Sequence, residues 1–170
     1  FEPNPVRALF YILTERIIVG LPFDHYVAPS QYTKDSLRSV GVPEAKISVI
    51  YHGDSRHENP AIALAEVRSQ LGLLQDDFVF MTYGRTGVTK GFEFFADAIP
   101  EIAAQIPGAR FVLVLAHYDR RILERIKRTI SVLPPNVCRL LPPMSRESLA
   151  AYVSAADCIV IPSLSEGFGF

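Results

Sequence analysis

The sequence has almost no net charge: 17 Lys and Arg against 18 Asp and Glu leave −1 over 170 residues, with a pI near 6.5. No broad basic field is present, so nucleic acid is not an expected partner, while a local cluster of cations stays open. Cysteine is scarce as well. Cys138 and Cys158 are too few for a disulfide framework, and both sit in apolar strand-like runs. They read as buried, reduced thiols of a cytosolic protein. No apolar run reaches the ~18 residues that a membrane span needs. The stretch 6–21 comes nearest, but Arg7, Glu15 and Arg16 interrupt it. A secretory leader pattern is absent, so the expected location is cytoplasmic.

Several chemical signatures are missing too. Neither a P-loop nor G-x-G-x-x-G can be laid over the glycine-bearing loop 84–91, and no G-x-S-x-G elbow supports a hydrolase. The histidines His25, His52, His57 and His117 have no spacing that sets two on one helix face around a metal. His117 follows the apolar run 109–116, at the carboxyl end of an expected strand, which makes it a secondary candidate for ligand contact.

What is present is ample core material, with 49% apolar and 21% charged residues. From residue 78 onward, strand-like runs (78–85, 109–116, 137–142, 158–163) alternate with helical stripes (91–107, 120–133, 146–157). In the first stripe Phe92, Phe95, Ile99, Ile102 and Ile106 recur at helical spacing, and Pro100 is expected to kink the helix or open a second one. The second stripe points Ile122, Ile126, Ile130 and Leu133 inward, and the third Leu149, Tyr152, Val153 and Ala156. Asp119 and Ser145 are the expected N-caps. Continuous apolar strands joined by helices predict an α/β fold, a parallel sheet with helices on both faces.

Residues 1–57 read as a helix over about 5–19, strands at 24–30 and 46–51, and a helix at 31–40 between them. Two strands cannot build a complete core. The polar stretch 52–60 reads as a linker, which places a domain boundary near residue 58. The chain starts at Phe1 rather than a methionine and stops within "SEGFGF", so both ends are expected to be cuts in a longer polypeptide.

Ligands of open parallel sheets sit outside the carboxyl ends of the strands. Two loops at such ends carry suitable residues. The loop Gly84-Arg85-Thr86-Gly87-Val88-Thr89-Lys90-Gly91 joins glycines, two cations and a helix start near Lys90, a combination suited to phosphate. In the bland alternative the glycines only turn the chain and the cations are solvated. The closing turn offers Glu166, followed by Gly167, Phe168 and Gly169 with their backbone amides. Its bland alternative is an acid at a helix N-terminus.

Taken together, "YGR…TKGFEFFADAIPEI" (83–102) and "AADCIVIPSLSEGFG" (155–169) resemble the nucleotide-sugar half of family-4 glycosyltransferases with the GT-B fold. "VAPSQYTKDSLRSVGVPEAKISVIYHGD" (27–54) resembles the end of their first domain. The resemblance implies that residues 1–57 are a remnant of the acceptor-side domain and 58–170 a truncated, Rossmann-like donor domain. It also implies that Arg85 and Lys90 hold the diphosphate of a UDP- or GDP-sugar and that Gly84 lies beside them. Glu166 becomes the first glutamate of E-x7-E, with the amides at Gly167, Phe168 and Gly169 approaching phosphate and sugar. The base would lie near 140–144.

A retaining, metal-independent transfer to a sugar or lipid-linked acceptor follows by resemblance, and the absence of an Asp-x-Asp pair agrees with it. No cofactor is expected, and peripheral membrane contact would fall to regions outside the chain. The second glutamate would fall beyond Phe170, so this stretch alone is expected to be inactive. Where relatives often carry a glycine pair, the chain has Ala116-His117-Tyr118. The competing reading is a non-catalytic nucleotide- or phosphate-binding α/β module.

Overall fold

The computed structural model describes residues 4–53, 64–116 and 119–166. The chain divides into two compact units, Phe1–Arg56 with Ser165–Phe170, and His57–Leu164.

In the first unit, helix α1 (Pro5–Val19) begins at Asn4, whose side chain accepts from the amides of Val6 and Arg7, with Pro5 in the first turn. Strand β1 (Tyr26–Ala28) leads into α2 (Gln31–Ser39), which Ser30 caps through the Thr33 amide at 3.1 Å. A short 3-10 turn (Glu44–Lys46) then enters β2 (Ile47–Val49), parallel to β1 with Tyr26 opposite Ile47. The buried core among the described residues is Ala28, Val42 and Ile47, bordered by Val19, Tyr26 and Leu37. Helix α1 buries no residue and leaves Val6 74% and Ile17 67% exposed, so two short strands do supply little core.

The second unit opens with α3 (Leu64–Gln70), followed by β3 (Phe78–Arg85), α4 (Phe92–Gln105), β4 (Ala109–Ala116), α5 (Arg120–Ile130), β5 (Cys138–Leu141), α6 (Arg146–Ala155) and β6 (Cys158–Ile159). The four strands are parallel in the order β5-β4-β3-β6. Successive side chains of a strand point to opposite faces, and the packing follows that alternation. Phe111, Leu113 and Leu115 of β4 pack with Phe92, Phe95, Ile99, Leu123 and Ile126 of α4 and α5. Val112 and Val114 join Val79, Met81, Val67, Leu71, Ala151 and Ala155 on the face covered by α3 and α6. Helices therefore cover both faces, as the alternation predicts. Stepping β3 to β4 to β5 runs one way across the sheet, and α6 returns the chain to the far side of β3. Right-handed crossovers then require α6 on the face opposite α4 and α5.

Just before the amino ends of β3 and β6, Arg68 of α3 donates to the carbonyls of Leu74 (3.1 Å), Asp77 (2.7 Å) and Ala155 (3.2 Å). Its neighbour Asp157 accepts the Val79 amide at 2.7 Å. These bonds satisfy turn carbonyls that no ladder reaches. No helix among the described residues is long and apolar enough to cross a membrane.

Some expectations need correction. Helix α4 runs through Pro100 as one element, so no second helix starts there. Ile106 falls outside it and is 42% exposed. The most buried α6 positions are Ala151 and Ala155, with Leu149, Tyr152, Val153 and Ala156 only partly buried around them, because close approach to the sheet favours the smallest side chains. In α5, Leu123 joins Ile126 in the core, while Ile122 and Ile130 flank it. The thiols of Cys138 and Cys158 are free, as expected, but half-buried. They lie on the two outermost strands and cannot meet. Asp119 and Ser145 cap α5 and α6 as expected.

Candidate functional site

The order β5-β4-β3-β6 sets β6 on the side of β3 away from β4, so the winding reverses between β3 and β6. Such a reversal leaves a crevice at the carboxyl edge of the sheet. The loops after β3 and β6 border it.

Arg85 is the last residue of β3, exposed, with its backbone in register with Ala116. Lys90 is half-buried, and its amide closes a turn onto the Gly87 carbonyl at 2.9 Å. The helix begins later than the sequence suggests. Gly91 is the N-cap, at φ 64° and ψ 14°, so Lys90 precedes α4 rather than opening it. The first-turn amides of a helix have no intrahelical acceptor, so the positive pole of α4 still lies next to Lys90. Gly84, at φ +147°, is held against Phe92, whose ring would lie 3.0 Å from an added Cβ. Gly84 and Arg85 thus end β3, and Lys90 stands at the far end of the loop that joins it to α4.

Thr86, which the sequence does not single out, is fully buried, and its hydroxyl accepts the Asp119 amide at 2.9 Å. Glu93 in the first turn of α4 is buried, and its Oε2 accepts no hydrogen bond among the described residues. Neither residue stands out in a lone sequence, since each acquires its meaning from burial.

Beside Arg85 lies an apolar niche of about 160 Å³, lined by Tyr83, Val114, Ala116, Pro143, Met144 and Leu149. It includes part of the 140–144 stretch. Glu166 is half-buried and lies in the Ser165–Phe170 segment that clusters with the first unit. His117, Gly167, Phe168 and Gly169 lie outside the described residues.

The arrangement sets a glycine-bearing loop with two cations, Arg85 and Lys90, beside an apolar slot. Comparison with known proteins agrees with it in fold and family. D-inositol 3-phosphate glycosyltransferase of Streptomyces bingchenggensis is 27% identical over 93% of this chain and 36% of its own length. The protein of that name from Kineococcus radiotolerans is 31% identical over 76% of this chain and 32% of its own. The chain thus spans about a third of the length of these curated relatives. Among solved structures, Anabaena HepE in complex with UDP-glucose superposes with a TM-score of 0.77 over 96% of this chain and 45% of that one, at 19% identity. Sucrose-phosphate synthase from Thermosynechococcus elongatus gives 0.70 over 95% and 40%, at 26% identity. These likenesses show a Rossmann-like α/β fold of the GT-B kind. The family model described as glycosyl transferases group 1 matches residues 77–170, and the chain belongs to that family.

Proposed function

We propose that this chain is the donor-binding part of a glycosyltransferase that moves a sugar from a nucleoside-diphosphate sugar to a sugar or lipid-linked acceptor, with retention. The observation that carries this reading is the pairing of Arg85 and Lys90 on the β3–α4 loop with an apolar niche at the same sheet edge. In this reading 58–170 is the nucleotide-sugar domain, 1–57 ends the acceptor-side domain, and the enzyme is cytoplasmic.

The diphosphate of a UDP- or GDP-sugar rests on Arg85, Lys90 and the first-turn amides of α4, beside Gly84. The base enters the niche next to Met144 and Leu149. Glu166 acts at the donor sugar, the amides at Gly167, Phe168 and Gly169 face phosphate and sugar, and His117 is a lesser contact. Transfer breaks the bond from the anomeric carbon to the diphosphate oxygen, which leaves with the electron pair, while the acceptor oxygen bonds that carbon from the same face and passes its proton to the departing diphosphate. Fixed positive charge stabilises the departing oxygen without a metal ion. Support comes from relatives named as glycosyltransferases and from a structural neighbour in complex with UDP-glucose.

The test is calorimetric titration of the full-length enzyme with UDP and GDP. A charge-assisted phosphate contact contributes roughly 1.5–3 kcal/mol, so Arg85→Ala and Lys90→Ala should each weaken binding about tenfold or more at nearly unchanged melting temperature. Wild-type affinity in both variants would take these residues, and the donor site with them, out of the loop.

A further inference from the structure

We infer that Gly91 is a positioning residue: its missing side chain seats the Pro162 carbonyl, and that seat sets the course of the segment leading into Glu166. The inference rests on the role of Glu166 proposed above.

The exit of β6 is laid along β3 and the loop that follows it. The Val160 amide donates to the Met81 carbonyl at 2.8 Å, and the Val160 carbonyl accepts from the buried Thr82 hydroxyl at 2.8 Å. Further on, the Leu164 amide donates to the Thr89 carbonyl at 2.8 Å. Between these anchors stands Pro162, which has no N–H to donate. Its hold is steric. A Cβ built on Gly91 would overlap the Pro162 carbonyl oxygen and lie 3.1 Å from the carbonyl carbon. Both atoms are backbone, so no side chain can swing aside to relieve the clash. Relief would require moving the β6 exit away from α4, with loss of the Leu164–Thr89 bond two residues before Glu166. Catalytic groups lose efficiency steeply when displaced by about 1 Å.

A matched control exists within the chain. Gly72 has φ +61° against +64° for Gly91, yet an added Cβ would meet only Arg139 Nη2, at 3.4 Å. Gly72→Ala and Gly91→Ala therefore share the backbone cost of alanine in the left-handed region. In the full-length enzyme both should lower the melting temperature by a few degrees. Only Gly91→Ala should speed amide exchange at Leu164 relative to Val112 and Leu113 of β4. Only Gly91→Ala should reduce kcat about tenfold or more while the donor KM changes less. A Leu164 exchange rate and a kcat in Gly91→Ala that match those of Gly72→Ala would overturn the inference. Glu166→Gln separates the two layers. Wild-type turnover there would overturn the role of Glu166, and the exchange comparison would still decide whether Gly91 seats the β6 exit.

Discussion

The Thr86 hydroxyl accepts the Asp119 amide at 2.9 Å and lies 3.3 Å from the carbonyl oxygens of both Ala116 and Asp119. A single buried side chain thereby ties the turn after β3 to the start of α5, which Asp119 caps through the amides of Arg121 and Ile122. The Thr86 amide adds a bond to the Ala116 carbonyl at 3.1 Å. The loop that bears Arg85 and Lys90 is thus fixed from within the sheet edge.

Thr86→Val should lower stability by about 1–3 kcal/mol, since the methyl that replaces the hydroxyl keeps its shape but cannot accept the buried Asp119 amide. Thr86→Ser keeps the hydroxyl and should cost about 1 kcal/mol, through the lost methyl group. Urea denaturation would report this as a fall in midpoint at constant slope. A wild-type midpoint in Thr86→Val would mean that the three contacts contribute nothing net.

Glu93 offers the opposite case. Its Oε2 is buried without a hydrogen-bond partner among the described residues, a desolvation cost that the α4 N-terminus offsets by only about 0.3–1 kcal/mol. Glu93→Met, of similar length and apolar, should raise the melting temperature and stability by about 1 kcal/mol or more. A lower melting temperature would show that the carboxylate is stabilising where it stands.

The difference between what was and was not legible in the sequence has physical causes. Strand β4 is a continuous apolar run buried on both faces and β3 is buried at Val79, Met81 and Thr82, so their extents follow from composition, with Phe78–Arg85 and Ala109–Ala116 matching the expected runs. The last strand is shorter than its apolar run because Thr82 takes the Val160 carbonyl and Pro162 has no amide for a ladder. Helix α3 is not legible in the sequence because its seven residues carry too little periodicity. The glycines and cations of 84–91 mark a loop with chemistry. They do not reveal that Gly91 answers to Pro162, a contact made by topology and not by neighbouring sequence.

Burial pushes the Cys138 thiol up from its ordinary 9.0 to about 12. The native state therefore holds a proton that the unfolded chain releases sooner. Stability from this group is fully present below pH 9 and is lost progressively as pH rises from 9 toward 12. Cys138→Ala has no such proton, so wild type should lose stability faster than the variant across that window. Parallel urea curves at rising pH would check it. Equal slopes with pH would mean that the thiol ionises in place.

The niche beside Arg85 separates the proposed base from the proposed diphosphate, and this makes the two halves of the site testable apart. Val114 and Ala116 sit on the same face of β4, and Ala116 is small where the niche opens toward Tyr83, Met144 and Leu149. Ala116→Leu should occupy that space while leaving the backbone carbonyl that Thr86 uses in place. A base covering roughly 80 Å² of apolar surface gains about 2 kcal/mol at 25 cal/mol per Å², so its exclusion should weaken UDP or GDP binding more than tenfold. Inorganic pyrophosphate carries no base and should bind Ala116→Leu as it binds wild type, with Arg85 and Lys90 intact. Calorimetry with both ligands decides between the outcomes. Equal losses for both would mean that the substitution disturbs the loop itself, and equal retention would take the base out of the niche.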